Sequence, residues 1–307
     1  MEAVNKLSKI NNFVVGVLAI IAKLPLNALY VLSDVFIFPL VYYVFRYRRK
    51  IVTGNLMRAF PEMPAVEIRN IEKRFYHHFC DTILETFNML GMSHQTAERR
   101  MIYKNASYLA DLCATNKGVL VVLGHYGNWE YHSFFHLAVL KTKDVACFNV
   151  YKPLKNKLFD ELMKRIRARF GNLNISKNDI YRMVIRLRKT GQSGIFGLIS
   201  DQSPIASSLN FWTGFLHQET AFMVGAERMA KQTGYAVVYA DVQKKNRGMY
   251  ETEFLLVTDS PETEPEFKIT ETYVRMMERT IRRDPAFWLW THKRWKHKKE
   301  NHHINQA

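Results

Sequence analysis

Five consecutive apolar residues, Val119 to Leu123, lie between Gly118 and Gly124. The run is too short for an ordinary helix and too continuous for a strand with one face in water. It fits a strand covered on both faces, the kind found in parallel sheets packed between helices. Ile195 to Ile199 repeats the pattern, and Ala236 to Ala240 and Glu253 to Val257 read as strands by their β-branched content. Helical patterns fall between and after them, over Trp129 to Leu140, Leu158 to Phe170, Tyr181 to Lys189, Phe222 to Gln232 and Ile269 to Arg283. This alternation predicts an α/β fold with a mostly parallel central sheet flanked by helices. Nearer the N-terminus an amphipathic helix is expected from Ala65 to Leu90, where Ile68, Ile71, Phe75, Phe79, Ile83, Phe87 and Leu90 recur at three- and four-residue steps. His77 and His78 on that helix have no partner at metal-ligand spacing.

The N-terminal part has a different character. From Phe13 to Phe45 the chain is strongly apolar but interrupted by Lys23, Pro25, Asp34 and Pro39. Leu26 to Phe45 approaches the roughly twenty residues a spanning helix needs, with one acid inside, so spanning and interfacial insertion both fit. No small-residue cleavage site closes the stretch, which argues against a signal peptide. The cluster Arg46, Tyr47, Arg48, Arg49, Lys50 then favours a cytoplasmic position for the remaining chain. We therefore expect a membrane-anchoring segment over residues 1–50 and a catalytic domain over 51–307. The formal charge of +16 favours anionic partners. Three cysteines without CxxC spacing read as buried thiols in a reducing compartment.

Chemistry concentrates in GVLVVLGHYGNWE, which puts His125 just past the carboxyl end of a buried strand, the edge where open α/β sheets bind ligands. Gly124 and Gly127 permit a tight turn, and Asn128 is placed to cap the next helix, with Glu130 in its first turn. A histidine outside that helix and a glutamate inside its first turn can meet. A carboxylate on one ring nitrogen fixes the tautomer and frees the other nitrogen as a base. Roughly one His-x4-acid match is expected by chance from 11 histidines and 28 acids, so position carries more weight than the pattern itself. Asp201 and Gln202 follow the second buried strand and reach the same edge, where Asp201 suits either orienting a basic residue or capping the next loop. Lys152, Lys155, Lys157, Lys164, Arg165, Arg167 and Arg169 form a basic strip for an anionic ligand or a solvated helix face, with Asn156 and Asp160 as positioning groups. Thr220 reads as an N-cap or a substrate contact. Trp288, Trp290, His292, Arg294 and Trp295 mix rings and cations in a way that suits a membrane interface, or single-stranded nucleic acid. The apolar N-terminal stretch speaks against a nucleic-acid binder.

Taken in order, LGHYGNWE, YKPLKNKLFDELMKRIRARFG, SDQSP, FWTGFLHQETAFMVGAERMAKQTGYAVV and WLWTHKRWK resemble the late acyltransferases of lipid A biosynthesis, over about Leu24 to Lys296. The resemblance implies a glycerolipid acyltransferase-like fold and an enzyme on the cytoplasmic face of the bacterial inner membrane. It implies transfer of a fatty acyl group from acyl carrier protein to a hydroxyl on the acyl chains of a lipid A precursor, an anionic glycolipid. His125 and Glu130 would be the catalytic dyad, with no metal or redox cofactor required. Lys152 stands where the family has arginine and lacks that residue's bidentate fork. Lys152, Asn156, Asp160, Arg165, Asp201, Gln202, Thr220 and Arg294 are the expected substrate contacts. A coenzyme A donor or an aminolipid acceptor is the nearest alternative.

Overall fold

The computed structural model describes residues 16, 18, 20–116, 118–140 and 145–299. The start of the apolar stretch and the last residues of the basic tail, 300–303, lie outside them. The strands are β1 (Met101–Tyr103), β2 (Val119–Leu123), β3 (Ala146–Tyr151), β4 (Leu173–Ser176), β5 (Gly194–Ile199), β6 (Phe211–Phe215), β7 (Gln218–Phe222), β8 (Ala236–Asn246) and β9 (Met249–Thr258). Among the described residues seven of them form the main sheet, in the order β1-β9-β8-β2-β5-β3-β4. Its pairings are parallel except the long β8–β9 ribbon, while β6 and β7 form a separate antiparallel hairpin. The α/β fold read from the pattern is the fold observed.

β2 shows why the run VLVVL demands this arrangement. All five residues are buried, with Leu120 and Val122 joining the core on one face of the sheet and Val119, Val121 and Leu123 the core on the other. The three cysteines are buried and unbridged. Short strands β1, β3 and β4 and the β6–β7 hairpin were not expected. The helix predicted from Phe222 begins instead at Gly225, because Phe222 ends β7 as a fully buried strand residue. Trp129 to Leu140 is a 3-10 turn, Trp129–Phe134, followed by a short α-helix, Phe135–Leu140.

The apolar N-terminal segment is docked along the domain. Helix α1 (Leu26–Leu32) continues through π-helical turns Ser33–Ile37 and Leu40–Val44. Leu29, Tyr30, Phe38 and Tyr42 of this segment are buried in the core that also holds helix α2 (Ala65–Asn88). Phe38 stacks on His77 with ring centres 3.6 Å apart. The opposite side stays open, with Val31, Val35, Phe36, Val44 and Phe45 each more than half exposed. Asp34, the acid inside the segment, faces the domain. Arg247, at the β8–β9 turn, holds Asp34 at 2.7 and 2.8 Å and the buried Asp81 of α2 at 2.6 and 2.8 Å. The neighbouring Gly248 has φ of +68°, and a Cβ there would sit 1.9 Å from the Tyr30 hydroxyl, so the turn must be glycine for both reasons. Arg247→Met leaves two carboxylates, one buried, without their cation. Because the guanidinium is itself partly exposed, we expect a loss of about 2 kcal/mol in urea unfolding. An unchanged unfolding midpoint would mean the clamp contributes nothing.

Candidate active site

β2 and β5 are adjacent, parallel and in register, with Leu123 opposite Ile199 and the ladder continued by Ser200 N–H donating to Leu123 O at 2.9 Å. His125 and Asp201 each lie two residues beyond those strand ends, so the topology delivers them to the sheet edge at the same height, about one strand spacing apart. Their side chains meet there. His125 Nδ1 lies 2.6 Å from Asp201 Oδ1, and the His125 backbone N–H donates to Asp201 Oδ2 at 2.7 Å. A carboxylate only accepts, so Nδ1 carries a proton, and in the neutral ring Nε2 is then the nitrogen left to act as acceptor. The Gln202 amide nitrogen sits 3.2 Å from Nε2, within reach to donate to it in that tautomer. Burial acts to raise the Asp201 carboxyl, but attraction to His125 and the hydrogen bonds from His125 and Trp288 outweigh it and hold it down at about 2. Asp201 is 3% exposed. The His125 side chain is 14% exposed, so one edge of the ring can be reached from solvent.

Residues of the aromatic tail close the arrangement. Trp288 Nε1 donates to Asp201 Oδ2 at 2.8 Å, Leu289 N–H to His125 O at 3.1 Å, and Gly127 N–H to Phe287 O at 2.9 Å. The expectation that these rings lie at a membrane surface or stack on bases is not met. Trp288 and Trp290 are 2% and 0% exposed, packed edge to face 4.7 Å apart. Their indoles satisfy internal acceptors, Trp290 Nε1 donating to Pro285 O at 2.6 Å. Tail composition alone does not distinguish a wet ring from one buried over a carboxylate.

The expected His125–Glu130 contact is also replaced. Asn128 caps the turn as read, its Oδ1 accepting from Glu130 N–H at 3.2 Å, but the Glu130 carboxylate is gripped by Arg167 through two bonds of 2.7 Å. Arg167 lies on helix α3 (Lys157–Ala168), so Glu130 ties this turn to that helix while Asp201 orients the histidine. Trp129, between them in sequence, sets its ring edge-on to His125 with centres 5.1 Å apart.

The other expected contacts divide by exposure. Lys152, Lys155 and Lys157 are exposed beyond the end of β3. Asn156 caps α3, accepting from Leu158 and Phe159 N–H at 3.0 and 3.2 Å. Asp160 accepts from Leu154 N–H at 2.7 Å and pairs with Lys164 at 2.7 Å, shaping the loop before α3. Arg165 is an exposed partner of Glu161 on the same helix. Thr220 starts no helix. It is buried in β7, its hydroxyl donating to Gln218 O at 2.8 Å and accepting from Trp295 Nε1 at 2.8 Å. Arg294 is 2% exposed, donates to Ala221 O at 2.6 Å and lies 4.3 Å from the Phe222 ring centre. Burial lowers its pKa to about 10. Thr220 and Arg294 thus fasten the tail to the β6–β7 hairpin. A small recess of about 10 Å³ beside Trp129, room for about one water, is walled by Phe75, Phe79, Phe287, Trp288 and Leu289, with His78 and Thr82 at its side. The roles of Trp288 and Arg167 were missed, although the equal offset of His125 and Asp201 from two buried strands was a usable signal.

The donors around Asp201 make one substitution informative. Oδ2 receives two N–H groups, so in Asp201→Asn the amide oxygen must stay there and the NH2 must face Nδ1. That reverses the tautomer and puts the proton on Nε2, and kcat should fall about 10³-fold or more with the fold retained. Activity within tenfold of wild type would exclude Asp201 as the orienting group.

Comparison with known proteins agrees with this architecture. Residues 3–297 match the family model of bacterial lipid A biosynthesis acyltransferases. The chain is also 25% identical over 298 residues to the lipid A biosynthesis lauroyltransferase of Escherichia coli K12, covering 93% of this chain and 91% of that one. With the match running through the sheet, the His125 loop and the tail, this chain belongs to the bacterial lipid A biosynthesis acyltransferase family.

Proposed function

We propose that this acyltransferase moves a fatty acyl chain from acyl carrier protein to a hydroxyl of a lipid A precursor, with His125 as the general base. The His125–Asp201 pair is the observation that carries the reading. In the neutral ring with Nδ1 protonated, Nε2 is the free base, and the acceptor hydroxyl takes the position that the Gln202 amide holds in the structure. As the hydroxyl oxygen attacks the thioester carbonyl, its proton passes to Nε2 and the Asp201 carboxylate stabilises the imidazolium. Collapse of the tetrahedral species breaks the C–S bond, and the imidazolium returns the proton to the departing thiolate. Gln202, displaced but still beside the reaction centre, is a donor for the charge that develops on the thioester oxygen. No nucleophile from the protein enters the sequence.

Electrostatics support the anionic partners. The net charge of +16 and the exposed Lys152, Lys155 and Lys157 near the sheet edge suit an acidic carrier protein and a phosphorylated glycolipid headgroup.

Membrane placement rests on the docked N-terminal segment. Leu26–Val44 is long and apolar enough to cross a bilayer, yet its buried side and Asp34 are turned to the catalytic domain. An interfacial position therefore suits it better than a span, with Val31, Val35, Phe36, Val44 and Phe45 entering the acyl boundary. Arg46 and Lys50, both exposed, stand beside them for anionic headgroups on the cytoplasmic face of the inner membrane.

In bacterial cells deprived of this protein, returning the wild-type chain should add one acyl group to lipid A by mass spectrometry, and the His125→Ala chain should add none. An acyl group restored by His125→Ala would overturn the mechanism.

A further inference from the structure

The loop that presents His125 is held on one side by Asp201 and the tail, and on the other by a buried carboxylate far away in sequence. Asn128 is fully buried and uses both ends of its amide. Its Oδ1 caps the turn, and its Nδ2 donates to Glu85 Oε2 at 2.9 Å. The same Glu85 oxygen accepts from the Tyr250 hydroxyl of β9 at 3.0 Å, and Oε1 accepts from the Tyr30 hydroxyl of α1 at 2.9 Å. Glu85, on α2, is 0% exposed. Three donors from three separate elements thus converge on one buried carboxyl group, which when ionised only accepts.

We infer that Glu85 is a positioning residue for acyl transfer: through Asn128 it fixes the loop carrying His125, and through Tyr30 it ties that loop to the seating of the apolar N-terminal helix. The inference rests on His125 as the reacting base. Asn128 lies three residues from His125 and directly precedes Trp129, whose ring lies against the imidazole, so movement at Asn128 displaces both. Misplacement of a reacting group by about 1 Å can cost 10²-fold in rate. The helix that meets the membrane and the loop that performs the chemistry therefore share one buried carboxylate.

An exchange of charge tests this. Asn128→Asp must still cap Glu130 N–H with one oxygen, which turns the other against Glu85. Adding Glu85→Gln supplies an amide that donates to the introduced carboxylate while its oxygen still accepts from a tyrosine. The full-length chain in detergent micelles is assayed with an acyl–acyl carrier protein thioester and a lipid A precursor, with folded protein quantified by thermal unfolding. We expect Asn128→Asp to lower kcat per folded molecule about 10²-fold with acceptor KM changed less than threefold, and Asn128→Asp/Glu85→Gln to recover at least tenfold. Tyr30→Phe should lower kcat three- to tenfold. The inference is overturned if Asn128→Asp keeps wild-type kcat, if the double variant is no better than the single, or if Tyr30→Phe turns over normally. Those results with an inactive His125→Ala remove Glu85 alone, whereas an active His125→Ala removes the reading of the site as well.

Discussion

Everything at this site hangs on the parallel register between β2 and β5. Because Leu123 pairs with Ile199, residues two positions beyond each strand share a level, and a histidine and an aspartate there meet at 2.6 Å. Neither residue needs a long loop to reach the other. The sheet thereby performs the entropically expensive part of positioning, and the His125 residue is held by backbone as well as side-chain bonds. Asp201 accepts from the ring, from the His125 backbone and from Trp288, so the carboxylate has little freedom to turn.

The remaining elements serve to keep that pair in place. The tail runs beside the His125 loop, exchanging backbone bonds with it, and is itself fastened by Arg294 and Trp295 to the β6–β7 hairpin. Residues after the apolar segment hold the tail from another direction, with Asn55 donating to the carbonyls of Trp290 and His292 and Arg48 to that of Thr291. Segments from both halves of the chain thus converge on the His125 loop. In this arrangement the indole of Trp288 is worth more as a buried donor to a carboxylate than as a membrane anchor.

How much of this was visible in the sequence depended on which kind of interaction was at stake. Burial leaves a periodic trace, so VLVVL, the amphipathic Ala65–Asn88 helix and the α/β alternation could be read directly. His125 was found by its place after a buried strand, and Asn128 as a cap by its residue type. Partner choice leaves no local trace. Glu130 lies five residues from His125 and Asp201 lies 76, yet register brings the distant acid to the ring while Arg167 draws the near one away. The same blindness placed Trp288 and Trp290 at a surface, because a mixed aromatic and basic composition is equally compatible with burial, and left Thr220 between a helix cap and a substrate contact when it is a buried strand residue. Short strands such as β1 and β4 are supported by neighbours more than by their own residues, and no period announces them.

The proposed catalysis by this pair requires that Asp201 keep His125 in the tautomer with Nδ1 protonated and Nε2 free to accept a proton. Nitrogen NMR of ¹⁵N-histidine-labelled protein, with the His125 resonances assigned by comparison with His125→Ala, reads this state at each ring nitrogen. An N–H signal at Nδ1 and the shift of an unprotonated nitrogen at Nε2 are expected. A proton found on Nε2 with Nδ1 bare would contradict the assignment of Asp201 as the group that orients the base.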